Sequence, residues 1–250
     1  MTDFSEASFV YRNKKVHITS SELMSLGALA VLLASTGEGE TSIKNISKLK
    51  TPRRIVDVGA HIGAYSILFA FVWPEAEILA IEPSKENYPH LVNNVTPFDN
   101  ISPRKLAVSS NRGSLKLGHP LPTQKPRVAR LGRHSTGWIS AHGEGDVFRE
   151  IVPSNSLDNI LENRVDLIKV DIEGHEIPAL IGAKDTIDNW RPLILMECCR
   201  ENQKMAGRSL EELLRYLPDM HGYVKCADYG RDSLFAPREM WATYCGKQND

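Results

Sequence analysis

The chain has 250 residues, 42% of them hydrophobic and 24% charged, a composition that excludes a disordered or fibrous protein. Lysine and arginine number 30 against 31 aspartate and glutamate, so no overall field exists to gather nucleic acid or an anionic membrane. At this length one α/β domain carrying a short extension is expected.

The first segment with a pattern is the apolar run from Leu23 to Ala34, shorter than the roughly 20 residues that span a bilayer. Lys14 and Lys15 ahead of it would suit a secretion leader, but Asp3, Glu6 and Glu22 do not. Thr19 and Glu22 have capping-box spacing, and Leu23, Leu26, Leu29 and Leu33 recur at helical intervals. Residues 1–50 are therefore expected as a helical extension, and 51–250 as the main domain.

From Arg54 onward short β-branched runs alternate with helical stretches, the pattern of βαβ units and a parallel sheet. A strand is expected over Ile55–Val58, a helix over Tyr65–Val72 that Pro74 stops, and a strand over Ile78–Ile81 that ends at Glu82. A helix from Ser84 to Asn94 follows, then a strand at Lys105–Val108 with Ser114–Leu117 beside it. Residues 118–146 lose all periodicity and read as an inserted loop. Helical pattern resumes at Leu157–Leu161, and the apolar run Val165–Val170 reads as a buried parallel strand followed by a helix from His175 to Asp188. Another strand is expected at Leu193–Met196, and Ser209 with Glu212 opens a further helix. The end of the chain reads as a hairpin of Tyr223–Cys226 with Trp241–Cys245. About seven strands in a doubly wound, mostly parallel, Rossmann-like sheet result.

The densest signal is Asp57-Val58-Gly59-Ala60-His61-Ile62-Gly63, a strand running through a glycine turn into a helix. In a doubly wound sheet ligands bind at the carboxyl ends of strands, and glycine lets backbone approach them closely. The GxGxxG spacing that seats a pyrophosphate is missing, and an acidic Asp57 at the strand end suits a cofactor with an amino group and a sulfonium better than NAD. Glu82, ending the next strand, can accept hydrogen bonds from both ribose hydroxyls. These features imply S-adenosylmethionine, with Asp57, Gly59, His61, Gly63, Glu82, Ala107 and Asp171 as its expected contacts.

The segments IVDVGAHIGAYSILFA, ILAIEPSKENYPHLVNN, LAVSS with GSLKL, VPSNSLDNIL, VDLIKVDIEGHEIPALIGA and RPLILMEC resemble the FkbM-type methyltransferase family from about Arg54 to Tyr223. The resemblance implies the class I methyltransferase fold and transfer of a methyl group to an oxygen, usually a hydroxyl on a sugar or natural product. It implies Asp57, Gly59, Gly63 and Glu82 as cofactor contacts and places Asp171, Glu173 and His175 at the reaction site.

Methyl transfer needs alignment of the acceptor and a base for its proton. Asp171 ends a strand and His175 begins the next helix, so either is a candidate base, and Glu197, at the end of the following strand, is a third catalytic candidate. Capping of that helix would account for Asp171 and Glu173 equally well. Lys169 inside an apolar run needs a carboxylate partner. Asp171, Glu173, His175 and Glu197 match no known metal cage, and no metal is expected. Glu173 is the expected acceptor contact, together with Arg127, Arg130, Arg133 and Trp138 of a basic lid that prefers an anionic acceptor.

Cys198 and Cys199 are adjacent and Cys226 and Cys245 stand alone, so reduced thiols and a cytoplasmic protein with a small-molecule acceptor are expected, without nucleic acid or a membrane span. Two other classes stay open: a catalytically silent cofactor-binding subunit and a nicotinamide oxidoreductase. A base-modifying enzyme is disfavoured, because Asp171-Ile172-Glu173-Gly174 stands where a proline-aromatic stacking motif belongs.

Overall fold

The computed structural model describes residues 5–11, 14–20, 51–119 and 147–244. Among the described residues twelve strands fall in three sheets. The first is an antiparallel hairpin of β1 (Ser5–Tyr11) and β2 (Lys14–Ser20). Thr19, read from sequence as a helix cap, lies in β2, and the helix expected over 23–34 lies outside the described residues.

The central sheet has seven strands: β3 (Arg54–Val58), β4 (Glu77–Ile81), β5 (Ile101–Arg104), β9 (Leu167–Val170), β10 (Leu193–Glu197), β11 (Tyr223–Tyr229) and β12 (Asp232–Pro237). Their spatial order is β11-β12-β10-β9-β3-β4-β5. The five strands from β10 to β5 are parallel, whereas β12 runs antiparallel to both β10 and β11. The order reverses between β3 and β9, which opens a crevice above their carboxyl ends.

Helices cover both faces, as near-continuous apolar strands require. Ile55, Leu167, Leu193, Leu195 and Leu234 pack beneath α1 (Ala64–Val72) and α2 (Tyr88–Val95). Val56, Ile168, Val170, Ile194 and Met196 point to the other face, toward α3 (Leu157–Ile160), α4 (Glu176–Ile181), α5 (Lys184–Trp190) and α7 (Leu210–His221). Ser209 caps α7 by accepting the Glu212 amide at 3.0 Å, as its capping-box spacing predicts. A short α6 (Arg200–Met205) follows β10, and α8 (Trp241–Tyr244) closes the described chain.

Several expectations need correction. The third strand of the central sheet is β5, not Lys105–Val108; Ala107–Val108 forms β6 and leaves for a separate sheet of order β6-β8-β7. There β7 (Gly113–His119) pairs with β8 (Val147–Asn155) rather than with β6, and β8 lies in a stretch that sequence pattern left without a strand. The helix expected from His175 to Asp188 breaks at Gly182, where a Cβ would stand 2.1 Å from the Ser109 carbonyl oxygen. The closing hairpin uses Asp232–Pro237, turning through Gly230 at φ 64°, while Trp241–Tyr244 is helical. Cys198 and Cys199 are free, but Cys226 is disulfide-bonded, a pairing its isolated position in the chain does not reveal.

Candidate active site

The glycine turn joins β3 to α1 through three left-handed residues, Gly59 (φ 84°), His61 (φ 53°) and Gly63 (φ 95°). A Cβ on Gly59 would lie 1.8 Å from the Asp171 carbonyl oxygen, so only glycine lets the β3 and β9 loops meet. Gly59→Ala is expected to cost about 3 kcal/mol or more, from backbone strain plus a clash with unyielding backbone. Gly207→Ala, also at positive φ but with nothing within 4 Å of its Cβ, is expected to cost about 1 kcal/mol. Urea unfolding of the two variants measures the difference.

Glu82 closes the turn from the other side. One carboxylate oxygen accepts the His61 amide at 2.9 Å, and the other accepts the Ser84 amide at 3.0 Å and the Asn87 side-chain amide at 3.4 Å. Burial pushes its acid up to about 7, against those bonds. Burial lowers the His61 imidazole to about 4, so it is neutral at physiological pH.

A cavity of about 200 Å³ opens here. Gly59, His61, Glu82 and Ala107 line it, as do Asp171, Glu173 and His175. One wall that sequence reading missed is apolar, with Leu106 and Val108 at β6 and Leu115 and Leu117 on β7. The alternation of Leu115 and Leu117 is the signal that would have found it.

Two expected cofactor residues stand behind the cavity rather than in its wall. Gly63 caps α1, and Asp57 is 1% exposed beneath that helix, where it accepts the Ser66 hydroxyl at 2.6 Å. Asp57 is opposite Lys169 in the β3–β9 register. Lys169 is itself 1% exposed, donates to Asp171 at 2.9 Å, and lies 4.2 Å from the centre of the Tyr65 ring. The Tyr65 hydroxyl in turn donates to Asp232 at 2.6 Å. The carboxylate partner that a buried lysine demands is therefore Asp171.

His175 sits at the start of α4 with its Nε2 3.0 Å from the Ser109 hydroxyl. Oxygens of Asp171, Glu173 and Glu197 lie within 4.8 Å of one another, a spacing that one cation can bridge. The Asn202 side-chain amide donates to Glu173 at 2.6 Å and to Glu197 at 2.9 Å. Burial and neighbouring Asp171 and Glu176 raise the Glu197 acid above the usual carboxylate range. Arg127, Arg130, Arg133 and Trp138 lie outside the described residues.

The model of the FkbM methyltransferase domain matches residues 57–225, which span the glycine turn, Glu82 and the whole carboxylate cluster. The chain belongs to the FkbM methyltransferase family. As a methyltransferase it is 30% identical over 183 residues to methyltransferase sdnD of Sordaria araneosa, covering 59% of this chain and 70% of that protein. A solved FkbM methyltransferase from Methylobacillus flagellatus is similar at 17% identity and a TM-score of 0.49, with 85% of this chain and 53% of that one covered. This chain therefore spans about half the length of that protein. A putative caffeoyl-CoA O-methyltransferase from Staphylococcus aureus is similar at 10% identity and a TM-score of 0.48, over 78% of this chain and 80% of that one. Strand order 3-2-1-4-5-7-6 with the seventh reversed, counted along the central sheet from β5, is the arrangement of the class I methyltransferase fold.

Proposed function

We propose that this methyltransferase takes its methyl group from S-adenosylmethionine and transfers it to a hydroxyl oxygen of a sugar or natural product. The observation that carries the reading is the cavity between the Gly59 turn and Glu82, with the Glu82 carboxylate in its wall at the end of β4. There a carboxylate accepts both ribose hydroxyls, the glycine turn admits the amino-acid part, and the apolar Leu106, Val108 and Leu117 wall takes the adenine. Residues 51–250 form the catalytic unit and 1–50 its extension.

The sulfonium activates the methyl carbon, so the protein aligns the acceptor and removes its proton. His175 is the base, because Asp171 is engaged by Lys169 and Glu197 by the Asn202 amide. Glu173 and Asp171 hold the acceptor at the rim. Described residues of the cavity wall include Glu82, Asp171 and Glu173 and no lysine or arginine, so an anionic acceptor meets its cations on the lid carrying Arg127, Arg130 and Arg133.

Calorimetric titration tests the cofactor, with NADH as control. S-adenosylmethionine and S-adenosylhomocysteine are expected to bind and NADH is not; tight NADH binding alone would reverse the assignment. Labelled methyl transfer to hydroxylated acceptors then tests the base, and His175→Ala is expected to lower turnover about 100-fold or more with cofactor affinity preserved.

A further inference from the structure

Asn94 is wholly buried on α2, directly behind the glycine turn. Its amide nitrogen donates to the Ile62 carbonyl at 2.9 Å and to the Thr19 carbonyl at 3.1 Å. Its oxygen accepts the Thr19 amide at 2.8 Å and the Thr19 hydroxyl at 3.3 Å. A side-chain amide has two donors and two acceptor lone pairs, so all of its capacity is committed. Every bond but one goes to a single residue of the N-terminal hairpin, and the remaining one goes to the turn.

Thr19 is held on the helix by further contacts, with its hydroxyl 2.9 Å from His90 Nδ1 and accepting the Asn93 side-chain amide at 3.3 Å. Ile62 lies between His61, whose amide Glu82 accepts, and Gly63, where Leu91 and Val95 of α2 stand 3.0 and 3.1 Å from the position of a Cβ. The turn is thus braced by Glu82 in front and by α2 behind. Asn94 is the polar part of the rear brace.

We propose that Asn94 and Thr19 are positioning residues of the cofactor turn and that the β1–β2 hairpin is a strap whose docking and cofactor binding favour each other. The inference rests on reading the cavity as the S-adenosylmethionine site. Without the strap the Asn94 amide loses its three Thr19 bonds and keeps only the Ile62 bond, so the side chain can turn away from the turn toward water. A ligand that needs the ordered turn therefore favours the docked strap, and the docked strap favours the ligand by the same factor. The strap lies outside residues 57–225, the part of the chain that the family model matches.

The test is amide exchange of residues 14–20 together with calorimetric affinity for S-adenosylhomocysteine, both in the full chain. Saturating ligand is expected to slow exchange across 14–20 by about fivefold. Asn94→Ala is expected to abolish that slowing and to weaken binding by about five- to tenfold. Thr19→Pro lacks the amide hydrogen and leaves the core untouched, and it is expected to weaken binding by a similar factor. Ligand binding with unchanged exchange at 14–20, or parental affinity in both Asn94→Ala and Thr19→Pro, overturns the inference. Absence of any binding to the parent chain overturns the cofactor reading and the inference with it.

Discussion

Glu82→Ala is expected to weaken S-adenosylhomocysteine binding by about 100-fold, because two hydrogen bonds to a charged acceptor are lost together. Glu82 is also the pH sensor of the site. Its acid lies near 7 against an ordinary 4.5, with burial as the main cause. Between those values the folded protein keeps a proton that the unfolded chain has released, so ligand-free stability falls as pH rises through this window. Cofactor binding is expected to run the opposite way, since ribose hydroxyls donating to Glu82 would require the ionised carboxylate. Affinity is expected to be about tenfold weaker at pH 6 than at pH 8, the ratio of ionised fractions for an acid near 7. Glu82→Gln keeps the shape and is expected to flatten that dependence. A parent chain with no pH dependence, or an unchanged slope in Glu82→Gln, would remove Glu82 from the ribose site.

The glycine turn and Glu82 at the cavity were legible in the sequence because their constraints are local. Gly59 must be glycine to pass the Asp171 carbonyl, and Glu82 follows a strand that sequence pattern identifies directly. Buried parallel strands announce themselves in the same way, as in Leu167–Val170 and Leu193–Glu197. The small sheet was not legible, because β8 carries Pro153 and charged residues, and its partners β6 and β7 lie across an interval of irregular sequence. Asp232–Pro237 was missed for a related reason. Its strand character comes from pairing with β10 and β11, whereas Trp241–Tyr244 has strand-forming residues but no neighbour to pair with among the described strands. Asn94 and Thr19 illustrate the limit most clearly: neither belongs to a motif, and only folding brings residues so distant in sequence into one hydrogen-bonded brace.

Lys169→Ala is expected to destabilise the protein by about 3 kcal/mol, lowering the melting temperature by about 10 °C. Removing one partner of a buried ion pair commonly costs more, but Asp171 is 31% exposed and regains water, which reduces the loss. Asp57 cannot do the same. Burial already raises its acid, and Lys169 is the main influence holding it down, so removing the ammonium raises it further. The variant then holds a proton on Asp57 at pH values where the unfolded chain has released its own, above about 3.8. Its deficit is therefore expected to grow with rising pH, in contrast to a simple packing defect, which would be constant. Lys169→Arg is expected to recover little, since a planar guanidinium does not fit a space between the Tyr65 ring and Asp171 shaped for a compact ammonium. Because the same lysine orients Asp171 in the cavity wall, its loss is expected to lower turnover even at temperatures where the variant is fully folded, and parental turnover in folded Lys169→Ala would separate the buried network from catalysis.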